Sequence, residues 1–171
     1  EVPPIILVQP QAPPPPVYEG MMLSLSVLAD QASSASPLGY LWTKNGNPLP
    51  GQTAANLTVS SLVTNDTGSY AVVVTNTFGA VTSSVVALTV LSGPPMIAQQ
   101  PQSIQRYAGG TATFSVTAFG SSPLSYQWYF STPAVTNMIA GATNSSYTVS
   151  QVGTADEGNY SVQITNPFGN T

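Results

Sequence analysis

One stretch of sequence occurs twice in the chain, and this repeat constrains the fold more than any other feature. Residues 62–79 and 152–169 match in residue type at nine positions, with a constant offset of ninety. The matched residues are Leu62, Asp66, Gly68, Tyr70, Val72, Val74, Asn76, Phe78 and Gly79 in the first copy, and Val152, Asp156, Gly158, Tyr160, Val162, Ile164, Asn166, Phe168 and Gly169 in the second. A recurring segment indicates a recurring structural unit. We therefore expect two units of the same fold.

Each copy of the repeat combines a turn with a strand. Tyr70, Val72 and Val74 occupy alternate positions, which is the pattern of a strand that packs one face against a core. Asp66 lies two residues before a glycine and four before Tyr70. A short carboxylate at such a turn can accept backbone N–H bonds. We therefore predict that Asp66 and its counterpart Asp156 are structural residues rather than catalytic acids.

Valine and tryptophan residues upstream of each copy complete the pattern. Val27 precedes Trp42 by fifteen residues, and Val116 precedes Trp128 by twelve. Each repeat thus reads Val…Trp…Asp-x-Gly-x-Tyr-x-Val. This pattern resembles the core of immunoglobulin-like sandwiches, where two cysteines flank a buried tryptophan and a tyrosine corner begins strand F. In this chain valine stands at both cysteine positions.

The resemblance implies an all-β chain of two tandem immunoglobulin-like Greek-key β-sandwiches. It is similar to cysteine-free, I-set-like domains of large secreted or surface proteins of bacteria. The expected domains are residues 1–92 and 93–171. The residues expected to form the structural core are Val27, Trp42, Asp66, Tyr70 and Val72 in the first domain, and Val116, Trp128, Asp156, Tyr160 and Val162 in the second.

The second domain is expected to lack its last strand within these residues. In the first repeat Phe78 and Gly79 are followed by residues 80–90, whose alternation predicts a final strand. In the second repeat only Asn170 and Thr171 follow the equivalent glycine. Two explanations remain open. The polypeptide continues, or a neighbouring subunit supplies the strand by β-augmentation.

The composition excludes two classes of partner. Only 5% of the residues are charged, against roughly 25% in typical soluble domains. The basic residues are Lys44 and Arg106, which are too few for the phosphate contacts that nucleic-acid binding requires. No apolar run approaches the ~20 residues of a membrane-spanning helix. We expect neither nucleic-acid binding nor membrane insertion.

The residues needed for common catalytic and metal sites are also scarce. The chain has no His and no Cys, which removes Ser-His and Cys-His nucleophile pairs. Asp156 and Glu157 are adjacent carboxylates, but a glycosidase needs two that face each other across a cleft. Lys44 is expected to extend its stem toward solvent. We predict no catalytic residue, no metal ligand and no cofactor.

The family resemblance also carries the functional hypothesis. It implies a non-catalytic structural or adhesive repeat module of a larger extracellular or cell-surface protein, with fibre formation as one form of that role. The expected partners are neighbouring immunoglobulin-like repeats or subunits. The alternative is a carbohydrate-binding accessory module attached to a secreted enzyme. Polysaccharide or a cell-surface protein would then be the ligand, but Tyr129 is a lone outward aromatic residue on its strand.

Overall fold

The computed structural model describes residues 2–31 and 36–171 and contains two compact units, Glu1–Leu91 and Ser92–Thr171. Both units are β-sandwiches, and the prediction of two tandem immunoglobulin-like domains is confirmed. Whether residues 1–92 and 93–171 fold as independent domains stays a prediction. No helix in the described ranges is long and apolar enough to cross a membrane.

The strands of unit 1 are short, as expected for a small sandwich. They are β1 (Ile5–Val8), β2 (Val17–Tyr18), β3 (Leu23–Ser26), β4 (Leu28–Asp30), β5 (Gly39–Lys44), β6 (Asn47–Pro48), β7 (Asn56–Val59), β8 (Gly68–Asn76), β9 (Gly79–Thr82), β10 (Val86–Leu88) and β11 (Val90–Leu91). A single 3-10 turn, Thr64–Asp66, precedes β8.

Unit 2 repeats this order as far as its last strand. Its strands are β12 (Met96–Gln99), β13 (Thr111–Ser115), β14 (Thr117–Phe119), β15 (Ser125–Ser131), β16 (Thr136–Met138), β17 (Ser146–Ser150), β18 (Asn159–Asn166) and β19 (Gly169–Asn170). A second 3-10 turn, Thr154–Asp156, precedes β18.

The same pairing builds the two layers of each sandwich. In unit 1, β8 lies between β5 and the last strand, with Trp42 opposite Val72, while β3 pairs with β7 in the other layer. In unit 2, β15 pairs with β18 so that Trp128 lies opposite Val162, and β13 pairs with β17. Because side chains alternate along a strand, each pairing turns one apolar face inward.

The two cores differ in composition and in burial. Leu23, Leu25 and Leu57 are fully buried in unit 1 beside Trp42. Unit 2 instead brings aromatic rings together, and the list of ring contacts comprises Phe114 with Trp128, Phe114 with Tyr160, Phe130 with Tyr160, Trp128 with Tyr147 and Tyr147 with Tyr160. Phe114 and Tyr160 stay partly exposed, so the core of unit 2 is less completely covered.

The end of unit 2 requires one correction to the expectation of a missing last strand. The first residues of that strand are present, because β19 pairs with Thr165 and Asn166, and Thr171 exchanges two backbone bonds with Ile164. The side chain of Asn166 accepts the Phe168 N–H, which closes the turn and returns the chain beside β18. The described residues contain no counterpart of β10 and β11 in unit 2.

We predict that Trp42→Ala destabilises unit 1 by ~3–5 kcal/mol, since it removes a fully buried ring and leaves a cavity. The substitution also removes the bond from the indole N–H to the Ala54 carbonyl. Urea unfolding followed by circular dichroism measures the cost. Leu41→Ala, on the same strand but partly exposed, is the matched control and should cost much less. A cost below about 1 kcal/mol for Trp42→Ala would contradict the core assignment.

Candidate functional site

A tyrosine corner fixes the start of β8 in unit 1. The Tyr70 hydroxyl donates a hydrogen bond to the Asp66 backbone carbonyl at 2.7 Å. The Asp66 carboxylate accepts the Val63 N–H at 2.9 Å across the 3-10 turn. Burial, and then the negative charge of Asp66, raise the pKa of Tyr70. Asp66 is thus committed to backbone contacts at this turn.

Unit 2 has the same corner with the same donors and acceptors. The Tyr160 hydroxyl donates to the Asp156 carbonyl at 3.1 Å, and the Asp156 carboxylate accepts the Gly153 N–H at 2.9 Å. Burial raises the pKa of Tyr160, with smaller contributions from Asp156 and Tyr147. The repeat seen in sequence is therefore a repeated hydrogen-bond arrangement.

The other residues expected in the core lie on the strands around these corners. Val27, Trp42 and Val72 are buried in unit 1. In unit 2, Val116 and Trp128 are buried, and the indole N–H of Trp128 donates to the Asn144 carbonyl at 2.9 Å. The remaining two are less covered, since Val162 and Tyr160 pack against the core but are only half-buried.

The position of Lys44 differs from the expected solvated stem. Its Nζ donates to the Asn65 carbonyl, lies 3.8 Å from the Asp66 carboxylate and 5.9 Å from the centre of the Tyr70 ring. Strand alternation explains this placement, because Lys44 is two residues after the buried Trp42 and shares its face. In unit 2, Phe130 takes this position and packs 5.0 Å from the Tyr160 ring.

The titratable groups form no catalytic or metal-binding cluster in residues 2–31 and 36–171. No three acidic side chains there are close enough to hold a metal ion. Asp156 bonds the turn backbone, and Glu157 follows it at the end of the 3-10 turn. The outward Tyr129 is half-buried and its hydroxyl lies 3.3 Å from the Gln163 side-chain oxygen. Nothing around Tyr129 forms a row of exposed rings of the kind that stacks on sugars.

The main concave feature of unit 2 is an elongated cavity of about 430 Å³, which we call the slot. It lies between residues 101–108 and the beginning of β18. Ile104, Phe114 and Tyr160 contribute apolar side chains to its lining, while Arg106 and Glu157 contribute charged ones. Sequence reasoning found the missing strand segment but not this cavity, since a cavity depends on how the neighbouring side chains pack.

The paired layers, the buried tryptophan and the tyrosine corner of each unit define a tandem of immunoglobulin-like domains. The model of the immunoglobulin domain family matches residues 3–76 and 94–166. These two matches include most of the chain, so the chain belongs to the immunoglobulin domain family.

Two curated relatives extend this comparison. The chain is 31% identical over 139 residues to the mouse cell adhesion molecule DSCAML1, a match that covers 75% of the chain and 7% of the mouse protein. It is 42% identical over 60 residues to a decoration protein of Escherichia phage T5, covering 35% of each. The chain thus spans less than a tenth of the mouse adhesion molecule and about a third of the phage protein.

A solved structure shows the same fold at lower sequence identity. A chimeric titin Z1Z2 carrying an exogenous peptide from decorin is 22% identical, with a TM-score of 0.50 and coverage of 99% of this chain and 93% of that one. At this identity the match reports the fold alone.

We predict that Asp66→Ala lowers the stability of unit 1 by about 1 kcal/mol, the typical cost of removing a side chain that caps backbone N–H groups. Asp66→Asn is the matched control, because its amide oxygen can still accept the Val63 N–H. Thermal denaturation of both variants measures the difference. An Asp66→Ala variant as stable as the parent would contradict the structural role.

The raised pKa of Tyr70 predicts alkaline destabilisation. The folded state favours the neutral phenol, so this contribution is complete below the ordinary pKa of 10.0 and is lost as the pH rises above it. Tyr70→Phe should cost about 1 kcal/mol at neutral pH through the lost hydrogen bond. Its stability should then fall less steeply than that of the parent above pH 10.0.

Urea unfolding at a series of alkaline pH values tests this expectation. Tyr107→Phe is the control, because the Tyr107 side chain is 95% exposed and its removal should leave the alkaline slope unchanged. Equal slopes for Tyr70→Phe and the parent would show that Tyr70 does not carry the effect.

Proposed function

We propose that the chain is a non-catalytic adhesive and structural repeat module of a larger extracellular or cell-surface protein. The observation that carries the proposal is the double match to the immunoglobulin domain family, together with the similarity to a cell adhesion molecule. Families of such repeats are generally non-catalytic, and their role depends on presenting rigid surfaces to other proteins.

The partners we propose are neighbouring immunoglobulin-like repeats or subunits, and fibre formation is one arrangement such contacts could build. The low charge of the chain supports contacts of this kind, because only 5% of its residues are charged. Contacts through neutral polar and apolar groups are screened little by salt. Binding through this surface is therefore expected to depend weakly on ionic strength.

A group of exposed apolar side chains on β1 and β4 of unit 1 supports a specific contact surface. Leu7 and Leu28 are 57% and 55% exposed, and Ile5 and Val8 beside them are also exposed. We call these four residues the β1–β4 patch. Among the described strands β1 pairs with β4 alone, so its other edge offers backbone groups for pairing. A strand edge of this kind is self-complementary when two copies meet antiparallel.

The proposal includes a bacterial source for the longer protein. The absence of cysteine and the similarity to a phage decoration protein support this part, while the adhesion relatives are animal proteins. Surface exposure of the parent protein can be tested by antibody labelling of intact cells against permeabilised ones.

We predict that the chain associates with itself and that the β1–β4 patch carries the contact. Sedimentation velocity over a concentration series should show a dimer for the parent chain. The double variant Leu7→Ser, Leu28→Ser should stay monomeric at the same concentrations. Val63→Ser is the matched control, since Val63 is 50% exposed but lies outside the patch.

Two results would contradict this proposal. A parent chain that is monomeric at every concentration would remove the self-association, and equal dimers of parent and patch variant would place the contact elsewhere. Binding to a polysaccharide on a glycan array would favour the carbohydrate-binding accessory module instead.

A further inference from the structure

The slot of unit 2 has an occupied counterpart in unit 1. There, β10 pairs with the start of β8, with Val86 opposite Tyr70 and Leu88 opposite Gly68. β11 then runs parallel to β2, with Val90 opposite Val17. Val86, Leu88 and Val90 are all buried. A single extended segment with apolar residues at alternate positions therefore fills this place in unit 1.

The matching backbone edge in unit 2 is unpaired. On the side of β18 that faces away from β15, the described strands pair only at Thr165 and Asn166 through β19, followed by the bonds between Ile164 and Thr171. Residues 159–163 have no strand on that side in the part of the chain that the structure describes. Such an edge presents backbone donors and acceptors to an added strand.

The apolar lining of the slot is also open. Phe114 and Tyr160 stack with ring centres 4.5 Å apart and line the slot. Tyr70, the counterpart of Tyr160, is 2% exposed beneath β10, whereas Tyr160 is half-buried. Filling the slot with apolar side chains would therefore remove aromatic surface from water, which favours binding.

Polar groups at the far end of the slot fit a strand backbone. In unit 1 the Thr67 hydroxyl accepts the Val90 N–H at 2.9 Å. Glu157 stands at the position of Thr67 in the repeat and lines the slot. A carboxylate there can accept the same backbone N–H, and a charged acceptor makes the stronger bond.

From these observations we propose that the slot is an acceptor site for one extended peptide strand, supplied by a second polypeptide. The strand runs antiparallel to β18 and places apolar side chains at alternate positions, spaced as Val86, Leu88 and Val90 are. Main-chain bonds along β18 give affinity, and the alternate apolar residues give specificity. The inference goes beyond the proposed function and does not depend on the β1–β4 patch.

A second copy of this chain is a poor donor of the strand. Its only segment with the required spacing that forms such a strand in the structure is residues 83–91, which is already built into its own unit 1 through β10 and β11. A donor on another polypeptide can reach the slot from the side, because Gln102 and Ser103 on its rim are exposed.

Fluorescence polarisation with a labelled synthetic peptide tests the proposal. The probe has the sequence of residues 83–92, and the partner is the 171-residue chain. We expect saturable binding. A control peptide with serine at the positions of Val86, Leu88 and Val90 should bind at least tenfold more weakly, because it keeps the main-chain groups but loses the apolar side chains.

Variants of the chain locate the site. Ile104→Asp places a carboxylate in the slot and should weaken binding at least tenfold, while Val135→Asp, on an exposed position outside the slot, should leave it unchanged. A chain with residues 83–92 fused after Thr171 has its slot filled and should not bind the peptide. Thermal denaturation shows whether each variant is folded.

Each alternative outcome overturns the proposal. No binding up to the solubility limit of the peptide shows that the slot does not accept a strand in trans. Equal binding of the serine peptide shows that the apolar spacing is irrelevant. Undiminished binding by the fused chain, or by a folded Ile104→Asp variant, places the peptide elsewhere on the protein.

Discussion

The structure of each unit depends on one buried tryptophan that packs between two sheets. The chain has no cysteine, so packing alone holds the layers together where the family pattern has a disulfide. Trp42 and Trp128 are fully buried, and each indole N–H is bonded to a backbone carbonyl. A ring that fills the core and also satisfies its own donor can be buried without an unpaired polar group. The valines beside it then complete the apolar layer.

The tyrosine corners add direction to this packing. Each corner bonds a hydroxyl and a carboxylate to turn backbone, so the strand that carries the core valine begins at a fixed place. The two acids that sequence inspection would first test for catalysis are held in these turns. The functional surfaces are consequently found elsewhere, on strand edges, where backbone groups and apolar side chains remain accessible. The β1–β4 patch and the slot are both surfaces of this kind.

The difference between the units follows from the last strand. In unit 1, β10 and β11 cover Tyr70 and bury Val86, Leu88 and Val90. In unit 2 the described residues pair only the first part of that strand, and the rings of Phe114 and Tyr160 line an open slot. The aromatic core of unit 2 thus retains contact surface that the aliphatic core of unit 1 has already used. One fold, repeated, presents a closed edge in one unit and an open edge in the other.

The sequence by itself determined the repeat, the fold class and the residues at the tyrosine corners, because period-two alternation and turn chemistry are local properties of the chain. It also indicated that the last strand of unit 2 is curtailed. Only the tertiary structure decided that Lys44 bonds the corner instead of extending into water, that Val162 is half-buried, and that an aromatic-lined slot lies beside β18. These properties depend on which side chains meet across strands far apart in sequence, and no local pattern records the space left between them.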